Sequence, residues 1–246
     1  MGFREIEILD GDPGTGWLAH PDRSLGILRA AGLRVRTVHS PEIGWDNANP
    51  DGERRRASLT ACAECFEQAA ALGAESVICH PNNYASDPFS AAGFGSIWQR
   101  TRESLEWLAE KAAGAGVRMA VENLPSRGLP RPGARMADIL RMIDGLGGHV
   151  GVCLDAGHSN ANGFSAAAEA TEAGVHLFAL HIQDNDGLGD DQHWLPGRGT
   201  TDWPALLRAL DDLRFQGART FEVGPSAGLE ETVDALGALH REWGAL

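Results

Sequence analysis

The chain has 246 residues, 43% hydrophobic and 22% charged, and its 34 acidic and 21 basic residues give a formal net charge of −13. A length of roughly 250 residues suits one α/β barrel, so we expect a single domain over residues 1–246. No apolar run approaches the roughly 20 residues that span a bilayer, and the acidic charge disfavours binding to phosphate backbones. We therefore expect neither a membrane nor a nucleic acid as a partner.

Targeting and redox signals point to an ordinary cytoplasmic protein. The first residues, MGFREIEILDGDPG, show no basic segment followed by an apolar one, so the sequence predicts no signal peptide. Four cysteines in a chain of this length do not indicate a disulfide scaffold. A reduced protein located in the cytoplasm is the expectation.

Short apolar or β-branched runs alternate with helical stretches along the whole chain. The sequence predicts strands at 4–9, 34–39, 75–80, 117–122, 149–155, 177–182 and 219–224. Helices are predicted between them, near 22–31, 53–72, 97–115, 135–146, 164–173, 203–213 and 227–243. Regular alternation of this kind indicates parallel strands joined by right-handed crossovers, which is an α/β fold.

Six successive predicted strands carry a side chain able to bind a metal at or near the C-terminal end. These side chains are His39, His80, Glu122, Asp155, His181 and Glu222. A single histidine or carboxylate at a strand end is more often a capping or hydrogen-bonding residue, but six in a row are difficult to explain in that way. Because the C-terminal ends of parallel strands converge on one face of a barrel, the sequence predicts a shared metal site there.

Three further residues extend the candidate ligand set. His158 follows Asp155 on a segment that reads as a polar loop, and Asp191 and His193 have a D-x-H spacing in DDQHW. Mixed imidazole and carboxylate ligands suit zinc, manganese, iron or cobalt more than calcium. We expect one divalent ion, with manganese, zinc, cobalt and magnesium as candidates, and the ligand count allows up to three.

The motifs VHSP, CHP, VENLP, LDAGH, HIQDND, DDQHWLPGRGTTDW and EVGP, in this order, resemble those of the xylose isomerase-like TIM-barrel superfamily. That group contains sugar phosphate isomerases and epimerases together with AP endonucleases of the endonuclease IV type. The resemblance runs from about residue 3 to the C-terminus and implies a TIM (β/α)8-type barrel. The combination of motifs is specific to the superfamily but not to a substrate.

The resemblance implies roles for the matched residues. Glu122, Asp155, His181 and Glu222 match the four ligands of the catalytic divalent ion in the isomerases and epimerases, where the two glutamates also move protons on opposite faces of the substrate. The remaining candidates match positions that complete a multinuclear zinc site in the nucleases. These are His39, His80, His158, Asp191 and His193. Since both sets are present, the number of ions stays open.

The N-terminal end departs from the family pattern. Family barrels begin with a strand and a helix before the strand type that GFREIEIL matches, and residue 2 is too early for that first βα unit. Seven strands are recognisable where a closed barrel of the family has eight. Either the start omits the unit, or the barrel is open or closed differently. An exposed strand edge would be covered by a loop or by a partner, such as a second copy in a homo-oligomer.

Three residues in the loops are candidates for binding the substrate. Trp45 and Trp194 follow strands and could wall a sugar pocket, with ordinary loop packing as the alternative. Arg198, in LPGRG, is placed to bind a hydroxyl or a phosphate, with a solvated side chain as the alternative.

The predicted ligand set supports proton transfer beside a carbonyl. An ion held by two glutamates, an aspartate and a histidine leaves room for two substrate oxygens and acidifies the adjacent C–H. One carboxylate then removes a proton and the other returns it, so we expect a metal-dependent isomerase or epimerase of a sugar or sugar phosphate, an enzyme of carbohydrate metabolism.

Other activities remain open at this stage. A multinuclear zinc phosphodiesterase of the endonuclease IV type is favoured by the ligand count and disfavoured by the acidic charge. A metal-dependent dehydratase or lyase on a sugar-like keto substrate needs the same chemistry and differs in what leaves. A metal-binding protein without activity would leave the two glutamates unused.

Overall fold

The computed structural model describes residues 2–9, 16–42, 44–83, 91–224 and 228–243. Seven parallel strands form one sheet in sequential order, and this sheet curves into a nearly closed barrel. The strands are β1 (Glu5–Leu9), β2 (Arg34–His39), β3 (Ser76–Cys79), β4 (Arg118–Glu122), β5 (Val150–Asp155), β6 (Leu177–Ile182) and β7 (Ala218–Phe221). The predicted fold, a TIM-type barrel with seven recognisable strands, is confirmed.

Helices lie between the strands and pack around the sheet. They are α1 (Pro21–Ala30), α2 (Gly52–Leu72), α3 (Ala91–Ala115), α4 (Met136–Ile143), α5 (Ala156–Ala161), α6 (Ala166–Ala173), α7 (Trp203–Asp212) and α8 (Leu229–Glu242). The sequence defines the ends of α2 clearly, because Asp51 accepts hydrogen bonds from the backbone of Glu53 and Arg54 and Gly73 ends the helix with a φ of 73°. No helix within the described ranges is long and apolar enough to cross a membrane.

The two faces of the sheet are packed differently. The outer face contributes to a large apolar cluster with the helices, in which Val77, Met119 and Leu154 are fully buried. The inner face is filled by smaller side chains such as Ala120 and Cys153. Residues two apart on a strand share a face, so Glu122 and Asp155 follow these small residues along the inner face. The alternation therefore directs the strand-end polar side chains into the mouth of the barrel.

The predicted loop after β5 is wrong. Residues 156–161 form the short helix α5, and Asp155 caps it by accepting a 2.6 Å hydrogen bond from the backbone N–H of His158. His158 therefore lies in the first turn of a helix rather than on a loop. A second difference concerns β7, which ends at Phe221, so that Glu222 directly follows the strand.

The barrel has a seam between β7 and β1. Within the described residues the backbone ladder runs from β1 to β7 and does not join these two strands to each other. Side chains bridge the gap instead: Arg36 donates a 2.9 Å hydrogen bond to the carbonyl oxygen of Gln216. The ring centroids of Phe3 and Phe221 lie 6.0 Å apart, and Trp243 after α8 lies 5.8 Å from Phe221. Part of the exposed edge is thus covered by the chain itself.

Candidate metal centre

Nine side chains meet at the C-terminal mouth of the barrel and form three groups of ligand atoms. Within each group the atoms lie within 4.8 Å of one another. The groups are Glu122, Asp155, His181 and Glu222; His39, His80 and Glu122; and His158, Asp191 and His193. The structure thus brings together all nine residues that the sequence identifies as candidate ligands, and it places Glu122 in two groups.

The first group surrounds the ring of His181. Its Nδ1 atom lies 3.1 Å from Oε1 of Glu122 and 2.8 Å from Oε2 of Glu222. Glu122, Asp155 and His181 are at most 1% exposed, whereas the side chain of Glu222 is 32% exposed. Oδ2 of Asp155 is a buried atom without a hydrogen-bond partner in the described part of the chain. An unsatisfied carboxylate oxygen beside two glutamates that share an imidazole nitrogen suits a cation.

The second group uses the other oxygen of Glu122. Oε2 of Glu122 lies 3.2 Å from Nε2 of His39 and 3.3 Å from Nε2 of His80. Nε2 of His80 is also 3.5 Å from Oε2 of Glu42. Because Oε1 of Glu122 faces His181, this one carboxylate connects the first two groups.

The third group is centred on Asp191. Its Oδ2 atom lies 3.1 Å from Nε2 of His158 and 3.1 Å from Nε2 of His193. Gln183 connects this group with the first, because its amide nitrogen donates to Oδ1 of Asp191 at 2.7 Å and to Oδ1 of Asp155 at 3.2 Å. The three groups therefore share a single polar network rather than lying apart.

Backbone carbonyls orient three of the histidine rings. Nδ1–H donates at 2.8 Å from His39 to Ser40, from His158 to Asn123 and from His193 to Glu222. This hydrogen bond fixes the tautomer in which Nε2 carries the lone pair that faces the ligand group. The three imidazoles are thus oriented for binding a cation.

Burial and neighbouring charges shift the pKa values of residues in the first two groups. Burial opposes ionisation of Glu122, but the adjacent His181, His39 and His80 hold its pKa well below the ordinary range. Burial alone would lower the pKa of His39, and the hydrogen bond and charge of Glu122 raise it to about 9. Burial raises the pKa of Asp155 to about 7, against the opposing charge of His158.

Burial and neighbouring charges also shift the pKa values of residues in the third group. Burial would lower the pKa of His158, yet Asp155 and Asp191 raise it to about 10. The pKa of Asp191 is lowered in spite of its burial, because His158 and His193 donate to its carboxylate. The site therefore concentrates negative charge that protons neutralise, and a divalent cation would displace those protons. Nitrogen and oxygen donors of this kind fit zinc, manganese or cobalt.

A cavity of about 410 Å³ opens above these groups. Its lining includes Glu122, Glu222 and His193 at the floor, together with Arg127 and Arg131 from the segment that follows β4. A volume of several hundred Å³ is typical of a small-molecule pocket.

The comparisons with known proteins agree with this architecture. The model of the xylose isomerase-like TIM barrel family matches residues 1–239 of the chain. The chain belongs to this family. The resemblance that the sequence motifs predict is therefore confirmed.

Relatives of the chain include an epimerase and an endonuclease. Fructoselysine 3-epimerase of Shigella flexneri is 26% identical over 260 residues, covering 98% of this chain and 88% of the relative. Probable endonuclease 4 of Thermoplasma acidophilum is 27% identical over 198 residues, covering 75% of this chain and 66% of the relative. The crystal structure of a D-tagatose 3-epimerase-like protein has a TM-score of 0.85 at 21% identity, covering 99% of this chain and 89% of that one. The last likeness shows the fold.

The three predicted substrate-binding residues lie outside the lining of the 410 Å³ cavity. Trp45 is half-buried, and its carbonyl oxygen accepts a 2.9 Å hydrogen bond from Asn83. The backbone of Trp194 pairs with that of Asp184 in an isolated antiparallel bridge. Arg198 has an exposed side chain in the loop before α7. Their role in binding a substrate stays a prediction.

Three residues around the ligand groups of this xylose isomerase-like barrel were not predicted from the sequence. Asn123 anchors Asp155 by accepting a 2.7 Å hydrogen bond from its backbone N–H, and Gln183 bridges two groups. Glu7 on β1 contacts His181. A sequence signal existed for Glu7, because acidic and apolar residues alternate in EIEIL and so place Glu7 on the opposite face of β1 from Ile6 and Ile8.

Proposed function

We propose that the protein is a divalent-metal-dependent isomerase or epimerase of a sugar or sugar phosphate. Glu122, Asp155, His181 and Glu222 would hold the ion, and Glu122 and Glu222 would transfer the protons. The observation that carries this proposal is the first ligand group, in which two glutamates approach one imidazole nitrogen from the floor of the cavity.

The proposed mechanism uses the two glutamates on either side of the substrate. Glu122, Asp155, His181 and Glu222 would hold a divalent ion, which would supply the Lewis acidity that polarises a substrate carbonyl and acidifies the neighbouring C–H. One carboxylate, of Glu122 or Glu222, would accept that proton on an Oε atom, and the other, after taking up a proton from solvent, would donate it to the opposite face of the same carbon. The result is epimerisation, while return of the proton to the neighbouring carbon gives an aldose–ketose isomerisation.

The surroundings of the two glutamates support their proposed roles in proton transfer. The pKa of Glu222 is lowered in spite of its burial, because it faces His181, and that of Glu122 is lowered as well. Both side chains are therefore available as proton acceptors at neutral pH. Both side chains line the cavity, and Glu222 is the more exposed of the pair, which supports its direct contact with a substrate.

A small sugar agrees with the size of the cavity and with the names of the relatives. A pocket of about 410 Å³ suits a monosaccharide-sized ligand. The names fructoselysine 3-epimerase and D-tagatose 3-epimerase-like protein support a ketose or keto-sugar substrate. The net charge of −13 disfavours a nucleic acid.

A phosphodiesterase with several zinc ions is the second candidate. Two observations favour it: the additional ligand groups around His39 and Asp191, and the relative named probable endonuclease 4. In such an enzyme neighbouring ions stabilise both the attacking and the leaving oxygen of the phosphodiester. We rank it second because of the acidic charge and the small cavity.

Solvent exchange separates the two candidates. The metal-loaded protein is incubated in heavy water with a panel of ketoses and keto-sugars, free and phosphorylated, and deuterium incorporation is followed by NMR. We expect incorporation into at least one sugar, abolished by EDTA and slowed at least about 100-fold by Glu222→Gln. Glu103→Gln, at an exposed position on α3, is the control that should keep full activity. Cleavage of abasic-site DNA at physiological salt without exchange into any sugar would contradict the proposal.

A further inference from the structure

Glu7 lies inside the barrel although it belongs to none of the three ligand groups. It is located on β1, and its side chain is 8% exposed. The hydroxyl of Thr37 on β2 donates a 2.6 Å hydrogen bond to its Oε2 atom. A buried carboxylate needs strong partners because desolvation is costly, and a single hydroxyl supplies only part of them.

The second partner of Glu7 is the ring of His181. Nε2 of His181 lies 3.1 Å from Oε1 and 3.3 Å from Oε2 of Glu7. A ring that donates from Nε2–H to Glu7 keeps the lone pair of Nδ1, the atom that faces Glu122 and Glu222. The contact thus selects which nitrogen of His181 is offered to the first ligand group.

This arrangement distinguishes His181 from three other histidines of the site. His39, His158 and His193 donate from Nδ1 to backbone carbonyls and face their ligand groups with Nε2. In His181 the roles of the two nitrogens are exchanged. Nε2 contacts a carboxylate instead of a backbone carbonyl, and Nδ1 faces the ligand group. Hydrogen bonds to an ionised acceptor are stronger than those to a neutral one, and a carboxylate behind a ligand histidine makes the imidazole a better donor to the ion.

We propose that Glu7 is a positioning residue that fixes the ring of His181 and strengthens its Nδ1 atom as a ligand. The inference rests on the proposed metal site. The contact between Glu7 and His181 joins β1 to β6, which lie on either side of β7 and the seam and share no backbone ladder in the described part of the chain. The chain thereby couples its N-terminal strand to the affinity for the ion.

The test measures zinc affinity by competition with a chromophoric chelator. Glu7→Leu removes the acceptor at similar size, and we expect the dissociation constant for zinc to rise about 10- to 100-fold, as for other partners of ligand histidines. Glu7→Gln keeps an acceptor oxygen without the charge and should give a smaller rise. Glu5→Gln is the matched control: it lies on the same strand, contacts Arg34 and Arg36 near the surface, and should leave the affinity unchanged.

A double-mutant cycle with His181→Ala separates positioning from a general structural role. If Glu7 acts through His181, Glu7→Leu has no further effect on zinc affinity in the His181→Ala background. An equal loss in both backgrounds would show a structural role and overturn the inference. Should Glu7→Leu fail to fold by circular dichroism, the cycle is run with Glu7→Gln.

Metal binding by the unmodified protein distinguishes a failure of the inference about Glu7 from a failure of the proposed function. If it binds zinc and Glu7→Leu binds zinc equally well, the inference about Glu7 is wrong and the metal site stands. If the unmodified protein binds no zinc, manganese or cobalt, the proposed function itself fails and the inference falls with it.

Discussion

The continuous side of the barrel and its seam differ in how they hold the polar side chains of the site. From β2 to β6 every strand is hydrogen-bonded on both sides, and all residues of β3, β5 and β6 are buried. At the seam, β1 and β7 are each bonded on one side only among the described residues, and both are partly exposed. Glu122, Asp155 and His181 come from the first region, and Glu222 and Glu7 from the second.

The difference bears on how the candidate ligands are positioned. The three most buried candidates of the first group lie on strands that are hydrogen-bonded on both sides. The two carboxylates from the seam approach the ring of His181 from opposite nitrogens. The seam therefore contributes the carboxylates that contact the two nitrogens of His181, while the continuous side supplies the His181 ring and the shared carboxylate of Glu122.

The largest expected effect comes from the carboxylate shared by two groups. Glu122→Gln should abolish turnover and lower the metal content, because both of its oxygens face histidines. Glu222→Gln at the seam should lower kcat by about 10²- to 10⁴-fold, as expected for loss of an acid or base, with a smaller loss of metal. Metal analysis and steady-state kinetics on the sugar identified by exchange measure both. Equal metal loss in the two variants would remove the distinction between the regions.

His80→Ala should have a milder effect. His80 contacts Glu122 but does not belong to the four-residue group, so its removal should reduce turnover by about 10- to 100-fold and leave the ion in that group. Turnover and metal content of the same preparation check this. A variant that is both metal-deficient and inactive would show that more than one ion is obligatory, and would favour the phosphodiesterase.

The smallest predicted effects concern stability. Leu154→Ala on β5 removes a fully buried side chain and should lower the free energy of unfolding by about 2–5 kcal/mol. Phe221→Ala on β7 removes a half-buried ring at the seam and should cost about 1 kcal/mol. Urea denaturation followed by circular dichroism compares the two. An equal decrease in the free energy of unfolding for the two variants would show that the seam is packed as tightly as the continuous side.

The strand-end ligands were predictable because two simple rules coincide. Parallel strands end on one face of the barrel, and Glu122 and Asp155 stand at those ends as polar residues after buried runs. The period of two along a strand then points them inward. These rules were therefore sufficient to identify the six strand-end candidates, while His158, Asp191 and His193 were identified from their spacing in the segments that follow strands.

Other features depend on contacts that a sequence pattern does not reveal. The partner of Glu7 is 174 residues away in the chain, so no local motif connects it with His181. Helix α5 has the sequence AGHSNA, which lacks an apolar period, and it forms because Asp155 caps it. The positions of Trp45 and Arg198 depend on loop conformation, which strand and helix patterns do not determine.

Crystals grown with zinc and measured at the zinc absorption edge test the central claim most directly. The account predicts an anomalous peak coordinated by Glu122, Asp155, His181 and Glu222 at about 2.0–2.2 Å. Further peaks in the other two groups would be compatible with this result. A zinc-loaded crystal with no ion among these four side chains, or with two of them turned to different faces of the sheet, would contradict the account.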